Sequence, residues 1–308
     1  MFHEEVIIEF VRTLDPKKVA ASSVPRITPN AVSAYIALEN KINGPNYVIS
    51  TACSSSANAI GEAFKRVQSG RNTIALAGGT EATITPVNIA MYEAMMVLGS
   101  SLTGRVEDAS RPFDRTRNGF VMSEGSACLI LEDLEHALCR NAPIYAEIIG
   151  FDSNCGAYHM VAPNPTGEDA AAVMRQAICD AGISVNDIDY INAHGTSTKY
   201  NDLAETRAIK NVFGERASRI PISGLKSMIG HTVGASAAIQ AVASCLSLVH
   251  SFVPPTINLN NSDPECELDY VPNKGRDFSI NMVISNSFGF GSNNASIVIR
   301  RYEHEKNS

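Results

Sequence analysis

Apolar and small residues follow two spacings along this chain, one typical of helices and one typical of strands. In residues 54–68, Ala57, Ile60, Phe64 and Val67 recur every three or four positions, which predicts a helix with one apolar face. The same spacing predicts further helices over 167–181, about 202–213 and 233–249. Short apolar runs predict strands over 47–52, 73–77, 144–152, 190–193, 220–224, 281–287 and 294–300, with two more strands inside 119–132. Strands and helices that alternate in this order predict a layered α/β fold.

The two parts of the chain also resemble each other weakly. Helices 54–68 and 233–249 are both rich in Ala and Ser and both follow a predicted strand. Each is later followed by a two-strand unit with glycine in its turn. This pattern predicts two duplicated halves, 1–140 and 141–308, joined near residues 140–143. The first half has only 52 residues before Cys53, so we expect it to lack the opening strand and helix that the second half contains.

Composition narrows the class of protein. The chain has 308 residues, of which 44% are hydrophobic and 19% charged, and this balance is typical of a globular protein. Its net charge of −7 argues against a protein that binds nucleic acid through overall charge. Seven scattered cysteines without a C-x-x-C pair disfavour both a disulfide framework and a zinc site. We therefore expect a reduced, cytoplasmic location.

One uncharged stretch raises the question of a membrane span. Residues 227–262 contain no Asp, Glu, Lys or Arg, but the helix predicted inside them includes Gly234, Gln240 and Ser244. A lipid-facing span needs about 20 mostly apolar residues. A helix that is apolar or small on all sides is better explained as the buried centre of a large domain, so we expect no membrane span.

Cys53 is the first candidate for chemistry. It lies where a predicted strand ends and the small-residue helix 54–68 begins. The N-terminus of a helix carries positive partial charge and free N–H groups, and both stabilise a thiolate. We therefore expect an ionised, nucleophilic sulfur that takes an acyl group from a thioester. The competing interpretation is a buried small hydrophobe, which is the role of most free cysteines and the one we assign to the other six.

Two histidines and a lysine are the expected partners of this thiol. His194 follows a predicted strand and enters a polar loop, and His231 precedes the helix 233–249. Two neutral imidazoles near one thiol could donate to a single carbonyl oxygen, which suits stabilisation of an enolate. Lys226 adds positive charge five residues before His231. The alternatives are two structural histidines and a surface lysine.

Metal binding is the rival use of cysteine and histidine. These residues share no i, i+3 or i, i+4 spacing, so we expect no metal site. His159 could line the entrance of a site. The Gly289-Phe290-Gly291 segment is too short for a dinucleotide fingerprint and suggests a mobile apolar loop, from which a backbone N–H could join an oxyanion hole. Turn glycines alone are the other explanation.

The chain resembles the condensing enzymes, specifically the elongating, type II β-ketoacyl-[acyl carrier protein] synthases of the thiolase superfamily. The resemblance runs from about residue 16 to 299 and rests on ordered motifs: TACSS (51–55), AGGTE (77–81), SRPFD (110–114), GFV (119–121), NAHGTST (192–198), KSMIGH (226–231), VPPTIN (253–258) and NSFGFG (286–291). It implies a thiolase-like layered fold of two halves, the N-terminal one incomplete, and a homodimer. It also implies decarboxylative condensation of an acyl thioester with malonyl-[acyl carrier protein] in fatty acid elongation.

The same resemblance implies a role for each site residue. Cys53 would accept the acyl group, and His194 and His231 would promote decarboxylation with support from Lys226. The N–H groups of Cys53 and Phe290 would form the oxyanion hole, and Phe290 would also gate the acyl channel. The remaining implied roles are pantetheine binding by Thr196 and Thr198, an acyl pocket at Tyr92 and Phe288, and carrier docking by Lys17 and Lys18. No cofactor is implied, since 4′-phosphopantetheine arrives on the carrier protein.

Departures from the family pattern keep alternatives open. Family members have about a hundred more N-terminal residues, and a buried glutamate is common where this chain has Gln240. Ile229 replaces a usual threonine, Ser292 a usual glycine, and Met96 a frequent carrier-docking arginine. The alternatives are a ketosynthase of polyketide synthesis and a catalytically silent homologue that acts as an interaction protein.

Overall fold

Ten α-helices lie within residues 2–303, the part of the chain that the computed structural model describes. They are α1 (Phe2–Thr13), α2 (Ser23–Ile27), α3 (Ala31–Glu39), α4 (Ser55–Gln68), α5 (Pro86–Ala94), α6 (Leu134–Cys139), α7 (Glu168–Asp180), α8 (Lys199–Phe213), α9 (Lys226–Ile229) and α10 (Ser236–His250). Ala57, Ile60 and Phe64 fall on the buried face of α4, as their spacing predicts. Small residues such as Ala238 line the buried side of α10 and allow close packing.

Nine strands lie in the same part of the chain. They are β1 (Ile74–Glu81), β2 (Gly125–Glu132), β3 (Ala146–Cys155), β4 (Tyr190–Asn192), β5 (Ile222–Ser223), β6 (Phe252–Val253), β7 (Arg276–Asp277), β8 (Met282–Gly289) and β9 (Asn293–Arg301). Five of them form a mixed sheet in the order β3-β9-β8-β4-β5, in which β4 is parallel to both its neighbours and β9 antiparallel to both of its own. β1 and β2 form a separate antiparallel pair, as do β6 and β7.

These elements stack in layers. Helices α7 and α8 cover one face of the five-stranded sheet, where the apolar core includes Met174, Ile191 and Ile209. Helices α4 and α10 lie side by side on the other face, with Ile60 and Ile297 in a second core. The β1–β2 pair packs on these two helices. The predicted layered α/β fold is confirmed, and the two central helices bring the chain's two parts together.

Most predicted elements form. The helices predicted over 54–68, 167–181, about 202–213 and 233–249 are α4, α7, α8 and α10, of which α8 begins earlier, at Lys199. The strands predicted in the second half are β3, β4, β5, β8 and β9, and the run at 220–224 shortens to two paired residues. Residues 283–287 of β8 and 294–299 of β9 are continuously buried, which is typical of strands covered on both faces.

Predicted strands in the first half are less accurate. Residues 47–52 belong to no strand, and Tyr47 and Val48 remain 51% and 46% exposed. Inside 119–132 only the second predicted strand forms, as β2. The run at 73–77 extends to Glu81, because β2 pairs with every residue of β1. An apolar run becomes a strand only where a neighbour lies within hydrogen-bonding reach.

The expected repeat corresponds to two helix–hairpin units. α4 precedes the antiparallel β1–β2 pair, and α10 precedes the antiparallel β8–β9 pair. β4 and β3 flank the second pair, whereas within residues 2–303 no strand flanks the first. Ile74, Leu76 and Ile130 of the first pair are exposed. This agrees with a first half that lacks its opening elements, while the division at residue 140 stays a prediction.

One helical stretch, Val233–His250, is long and apolar enough to cross a membrane. Half of it is buried, and its α-helical part packs against α4, β8 and β9. These are the surroundings expected of a core helix. The absence of a membrane span stays a prediction.

Candidate active site

Cys53 lies in a tight turn that leads into α4. The preceding residue, Ala52, has a φ of 51°, in the left-handed region that a non-glycine residue adopts at an energetic cost. Two hydroxyl groups hold the turn, since Ser55 Oγ donates to Ala52 O (2.6 Å) and Ser54 Oγ donates to Thr51 O (2.8 Å). The thiol is therefore fixed at the N-terminal end of the helix, as the sequence predicts.

The loop after β8 approaches the thiol from the other side. A Cβ atom at Gly289 would lie 2.7 Å from Thr51 O and 3.1 Å from Cys53 N, so only glycine fits this close contact. The approach brings the backbone N–H of Phe290 near the thiol sulfur, where it and the N–H of Cys53 both favour the ionised form of the thiol. Two N–H donors thus converge where the sequence predicts an oxyanion hole.

The charge state of the thiol differs from the expected one. Burial raises the pKa of Cys53 to about 11, which outweighs the lowering by the charge of Lys226 and by the N–H groups of Phe290 and Cys53. The expectation of an ionised sulfur is wrong for the resting site, because the thiol at this helix N-terminus is buried, with 6% of the residue's surface exposed. The resting nucleophile is a protonated thiol.

The raised pKa of Cys53 leads to a prediction for the rate at which this thiol is alkylated. The thiolate is the reactive form, so below a pKa of about 11 its fraction, and the rate of Cys53 alkylation, should rise tenfold with each pH unit between pH 7 and 9. Mass spectrometry of the Cys53 peptide after iodoacetamide treatment measures this rate. The peptide of the exposed Cys139 controls for the reagent. A Cys53 rate that levels off below pH 8 would show a stabilised thiolate instead.

Both predicted histidines lie beside the thiol. His231 Nε2 is 3.2 Å from Cys53 Sγ, and the rings of His194 and His231 have centroids 5.5 Å apart and planes at 85°. Burial, followed by the charge of Lys226, lowers the pKa of both imidazoles well below the usual range. Both rings are therefore neutral, in agreement with the expectation from the sequence.

Neighbouring groups determine which nitrogen carries the proton. Lys226 Nζ faces His194 Nδ1 at 3.5 Å and donates to the His194 carbonyl oxygen at 2.6 Å. An ammonium only donates, so His194 Nδ1 accepts and Nε2 carries the proton. His231 Nδ1 lies 2.8 Å from Ser236 Oγ, a hydroxyl that can donate or accept. His231 can therefore adopt either tautomer, and each ring can present an Nε2–H group to the substrate.

Lys226 is buried and fully engaged. It donates to Gln240 Oε1 at 2.9 Å as well as to His194. Burial lowers the pKa of Lys226 to about 8, while the charge of Glu205 opposes that shift. Gln240 thus gives Lys226 a neutral acceptor at the position where the family often has a glutamate. The negative charge that acts on Lys226 comes instead from Glu205 on α8.

Two residues of the site, Glu205 and Ser236, were not predicted from the sequence. Glu205 accepts hydrogen bonds from the N–H groups of His194 and Gly195, both at 2.8 Å, and burial raises the pKa of its carboxyl to about 7. No local pattern marks this glutamate. Ser236, the first residue of α10, lies five residues after His231 and contacts its Nδ1, but the sequence carries no local signal for this pair either.

A cavity of about 570 Å³ lies in front of the thiol. Its lining includes all five residues predicted to form the acyl pocket, the gate and the pantetheine contacts, namely Tyr92, Phe288, Phe290, Thr196 and Thr198. The two threonine hydroxyls lie 2.9 Å apart. The structure places these residues at one site, and their individual roles stay predictions.

The predicted carrier-docking residues lie elsewhere. Lys17 and Lys18 are exposed on a 3-10 turn and do not line the cavity. Met96 lines the cavity and is 88% exposed. His159 also lines the cavity, as expected of a residue at the entrance. Docking by the two lysines remains a prediction.

The structure reopens the question of a metal. The sequence spacing disfavours a metal site, yet the sulfur of Cys53 and one nitrogen each of His194 and His231 lie within 4.8 Å of one another, a separation that a metal ion could bridge. The three residues are thus close in space although their spacing along the chain disfavours a metal site. The ammonium of Lys226, 3.5 Å from His194 Nδ1, opposes a second cation, so the electrostatics favour a thiol–imidazole site.

Known proteins are similar in sequence to this chain over nearly all of its length. Residues 6–137 match the family model of the beta-ketoacyl synthase N-terminal domain, and residues 145–260 match that of the C-terminal domain. The 3-oxoacyl-[acyl-carrier-protein] synthase 2 of Synechocystis sp. is 45% identical over 291 residues, which cover 94% of this chain and 69% of the relative. The protein of the same name from Coxiella burnetii is 44% identical over 289 residues, covering 94% and 70%.

Solved structures share the fold. A chain from the AntDE:AntF complex, a type II PKS acyl-carrier protein with its ketosynthase bound to the hexaketide, has a TM-score of 0.96 at 37% identity, covering 98% of this chain and 75% of that chain. A beta-ketoacyl synthase from Burkholderia phymatum has a TM-score of 0.91 at 36% identity, covering 98% and 73%. A chain from the complex of a ketosynthase with its chain length factor from Xenorhabdus doucetiae has a TM-score of 0.82 at 29% identity, covering 97% of this chain and 71% of that chain. The chain therefore belongs to the β-ketoacyl synthase family and has its thiolase-like layered fold.

Proposed function

We propose that this chain catalyses the decarboxylative Claisen condensation of an acyl thioester with malonyl-[acyl carrier protein], which extends a fatty acyl chain by two carbons. The observation that carries the proposal is the convergence of Cys53, His194 and His231 within 4.8 Å at one cavity. The relatives named 3-oxoacyl-[acyl-carrier-protein] synthase 2 support it, since they are more similar to this chain than the polyketide ketosynthase complex is.

Acyl transfer is the first step. The Cys53 sulfur forms a bond to the acyl carbonyl carbon, and the bond from that carbon to the pantetheine sulfur breaks. The thiol proton passes to His231 Nε2, 3.2 Å away, and then to the departing sulfur, so the enzyme's net charge is unchanged. Because this exchange replaces one thiol by another, a resting thiol with a pKa of about 11 is compatible with it. The N–H groups of Cys53 and Phe290 stabilise the oxyanion.

Decarboxylation and condensation follow. Loss of carbon dioxide leaves an enolate whose oxygen accepts hydrogen bonds from Nε2–H of His194 and of His231. The enolate carbon attacks the acyl carbonyl, the bond to Cys53 sulfur breaks, and a proton from solvent returns to that sulfur. Burial, followed by the charge of Lys226, keeps His194 neutral, and the hydrogen bond from Lys226 to its carbonyl oxygen orients it for this step.

The finer assignments belong to the same proposal. Thr196 and Thr198 bind the pantetheine arm, and Tyr92 and Phe288 line the acyl pocket. Lys17 and Lys18 contribute to carrier docking. The enzyme works as a cytoplasmic homodimer without a cofactor of its own, and its partner is the acyl carrier protein. The pantetheine and acyl-pocket assignments are supported by the position of these four residues in the lining of the cavity. The acyl carrier protein as partner is supported by the complex solved for a structural relative.

Intact-mass measurement tests the proposal. After incubation with acyl-loaded carrier protein, the chain should gain the mass of one acyl group on the Cys53 peptide, because this thiol faces both the cavity and the two N–H donors. Malonyl-loaded carrier protein should then remove the adduct and release β-ketoacyl carrier protein. A sample with Cys53 blocked by iodoacetamide is the control. No adduct, or an adduct on another cysteine, would favour a silent interaction protein.

A further inference from the structure

Two segments cover the cavity in front of Cys53. The entrance segment, residues 156–163, contributes His159 to the lining, and the gate loop, residues 289–292, contributes Phe290. Two backbone hydrogen bonds join the segments, from Gly156 N to Ser292 O and from Gly291 N to Met160 O, each 2.8 Å long. Access to the thiol through this side therefore requires the two segments to separate.

The Ser292 hydroxyl adds three further bonds between them. Ser292 Oγ accepts from the N–H groups of Tyr158 (3.2 Å) and His159 (3.3 Å) and donates to the His159 carbonyl oxygen (3.1 Å). A hydroxyl has one donor and two acceptor sites, so all of its capacity is used. The serine is buried, with 8% of its surface exposed.

Apolar packing does not hold the entrance segment. Tyr158 and Met160 are 53% and 75% exposed. The segment keeps its own shape, because His159 Nδ1 accepts from the N–H groups of Val161 and Ala162. It therefore behaves as a small preformed unit whose attachment depends on hydrogen bonds to the gate loop.

The backbone at Ser292 strengthens this interpretation. Its φ is 58°, a left-handed conformation that glycine adopts freely and serine only at a cost. This chain thus accepts backbone strain at a position where the added side chain makes three bonds across the two segments.

We infer that Ser292 is a positioning residue that latches the entrance segment to the gate loop and so controls access to the Cys53 thiol. With the latch closed, Phe290 stays beside the sulfur and its N–H group stays in the oxyanion position. A role of the latch in catalysis rests on the proposed function. Access to the thiol, in contrast, can be measured without any acyl substrate.

Alkylation of Cys53 by iodoacetamide at fixed pH tests the latch. Ser292→Ala and Ser292→Gly both remove the hydroxyl, so each should raise the alkylation rate about tenfold or more. Ser247→Ala, a buried serine on α10, is the matched control and should react at the wild-type rate. If the two Ser292 variants also react at the wild-type rate, the latch does not exist.

Hydrogen exchange of the unmodified protein gives a second test that does not depend on folded variants. The amides of Tyr158, His159 and Gly291 should exchange at one common rate, because a single opening releases all three. Rates that differ more than tenfold among them would overturn the inference. If the three amides exchange at one rate but Cys53 gains no acyl group from acyl carrier protein, the latch stands and only the proposed function is refuted.

Discussion

Replacing either His194 or His231 by alanine should lower the rate of malonyl decarboxylation by about 10²–10³-fold, the effect of losing one preorganised donor to a developing oxyanion. Both rings are neutral and buried, and one nitrogen of each lies within 4.8 Å of the other and of the thiol sulfur. An enolate oxygen placed between them can therefore accept two hydrogen bonds without water competing for either. Release of labelled carbon dioxide from malonyl-[acyl carrier protein] measures the rate.

The two variants should differ in the first step. His231 Nε2 is 3.2 Å from the thiol sulfur and accepts the thiol proton during acyl transfer in the proposed mechanism, so His231→Ala should also slow acyl transfer to Cys53. His194→Ala should leave acyl transfer close to the wild-type rate, because the N–H groups of Cys53 and Phe290 serve that step. His250→Ala, on the exposed end of α10, is the control. Decarboxylation within threefold of wild type in either variant would show that the enolate is stabilised by other groups.

Local sequence patterns predicted the helices because their apolar faces are buried as their spacing requires. The strand expected at 47–52 did not form, although its composition is no different from that of the strands that did. Whether an apolar run pairs depends on a partner from elsewhere in the chain, and within residues 2–303 none lies beside it. The long second half supplied those partners for β8 and β9, and its predicted strands therefore agree with the structure.

The sequence predicted the identities of the three site residues and the neutral state of both histidines, but not the charge state of the thiol. Motif order placed Cys53, His194 and His231 together, and the structure brings them into contact. The ionised thiol was a conclusion from one local effect, the helix N-terminus, whereas the pKa of about 11 reflects burial by segments distant in sequence. Glu205 was missed for the same reason, since its two hydrogen bonds to the His194 loop exist only in the folded chain.

Glu205 should consequently be among the most destabilising positions to change. Its two carboxylate oxygens accept from the buried N–H groups of His194 and Gly195, and its negative charge favours the charged form of the buried Lys226. Glu205→Ala leaves both N–H groups without an acceptor and Lys226 without that compensating charge. We expect the free energy of unfolding to fall by about 3–5 kcal/mol, as when one partner of a buried charge pair is removed.

Glu205→Gln removes the negative charge but keeps one acceptor oxygen, and so separates the contribution of the charge from that of the hydrogen bonds. The amide keeps one acceptor oxygen, so one N–H group stays paired while the other faces an NH₂ group, and the loss should be about 1–3 kcal/mol. Urea unfolding at pH 7.5 measures the free energy of unfolding of both variants. Glu215→Ala is the exposed control and should change stability by less than about 0.5 kcal/mol. An unchanged midpoint for Glu205→Ala would mean that water or another group satisfies the His194 loop.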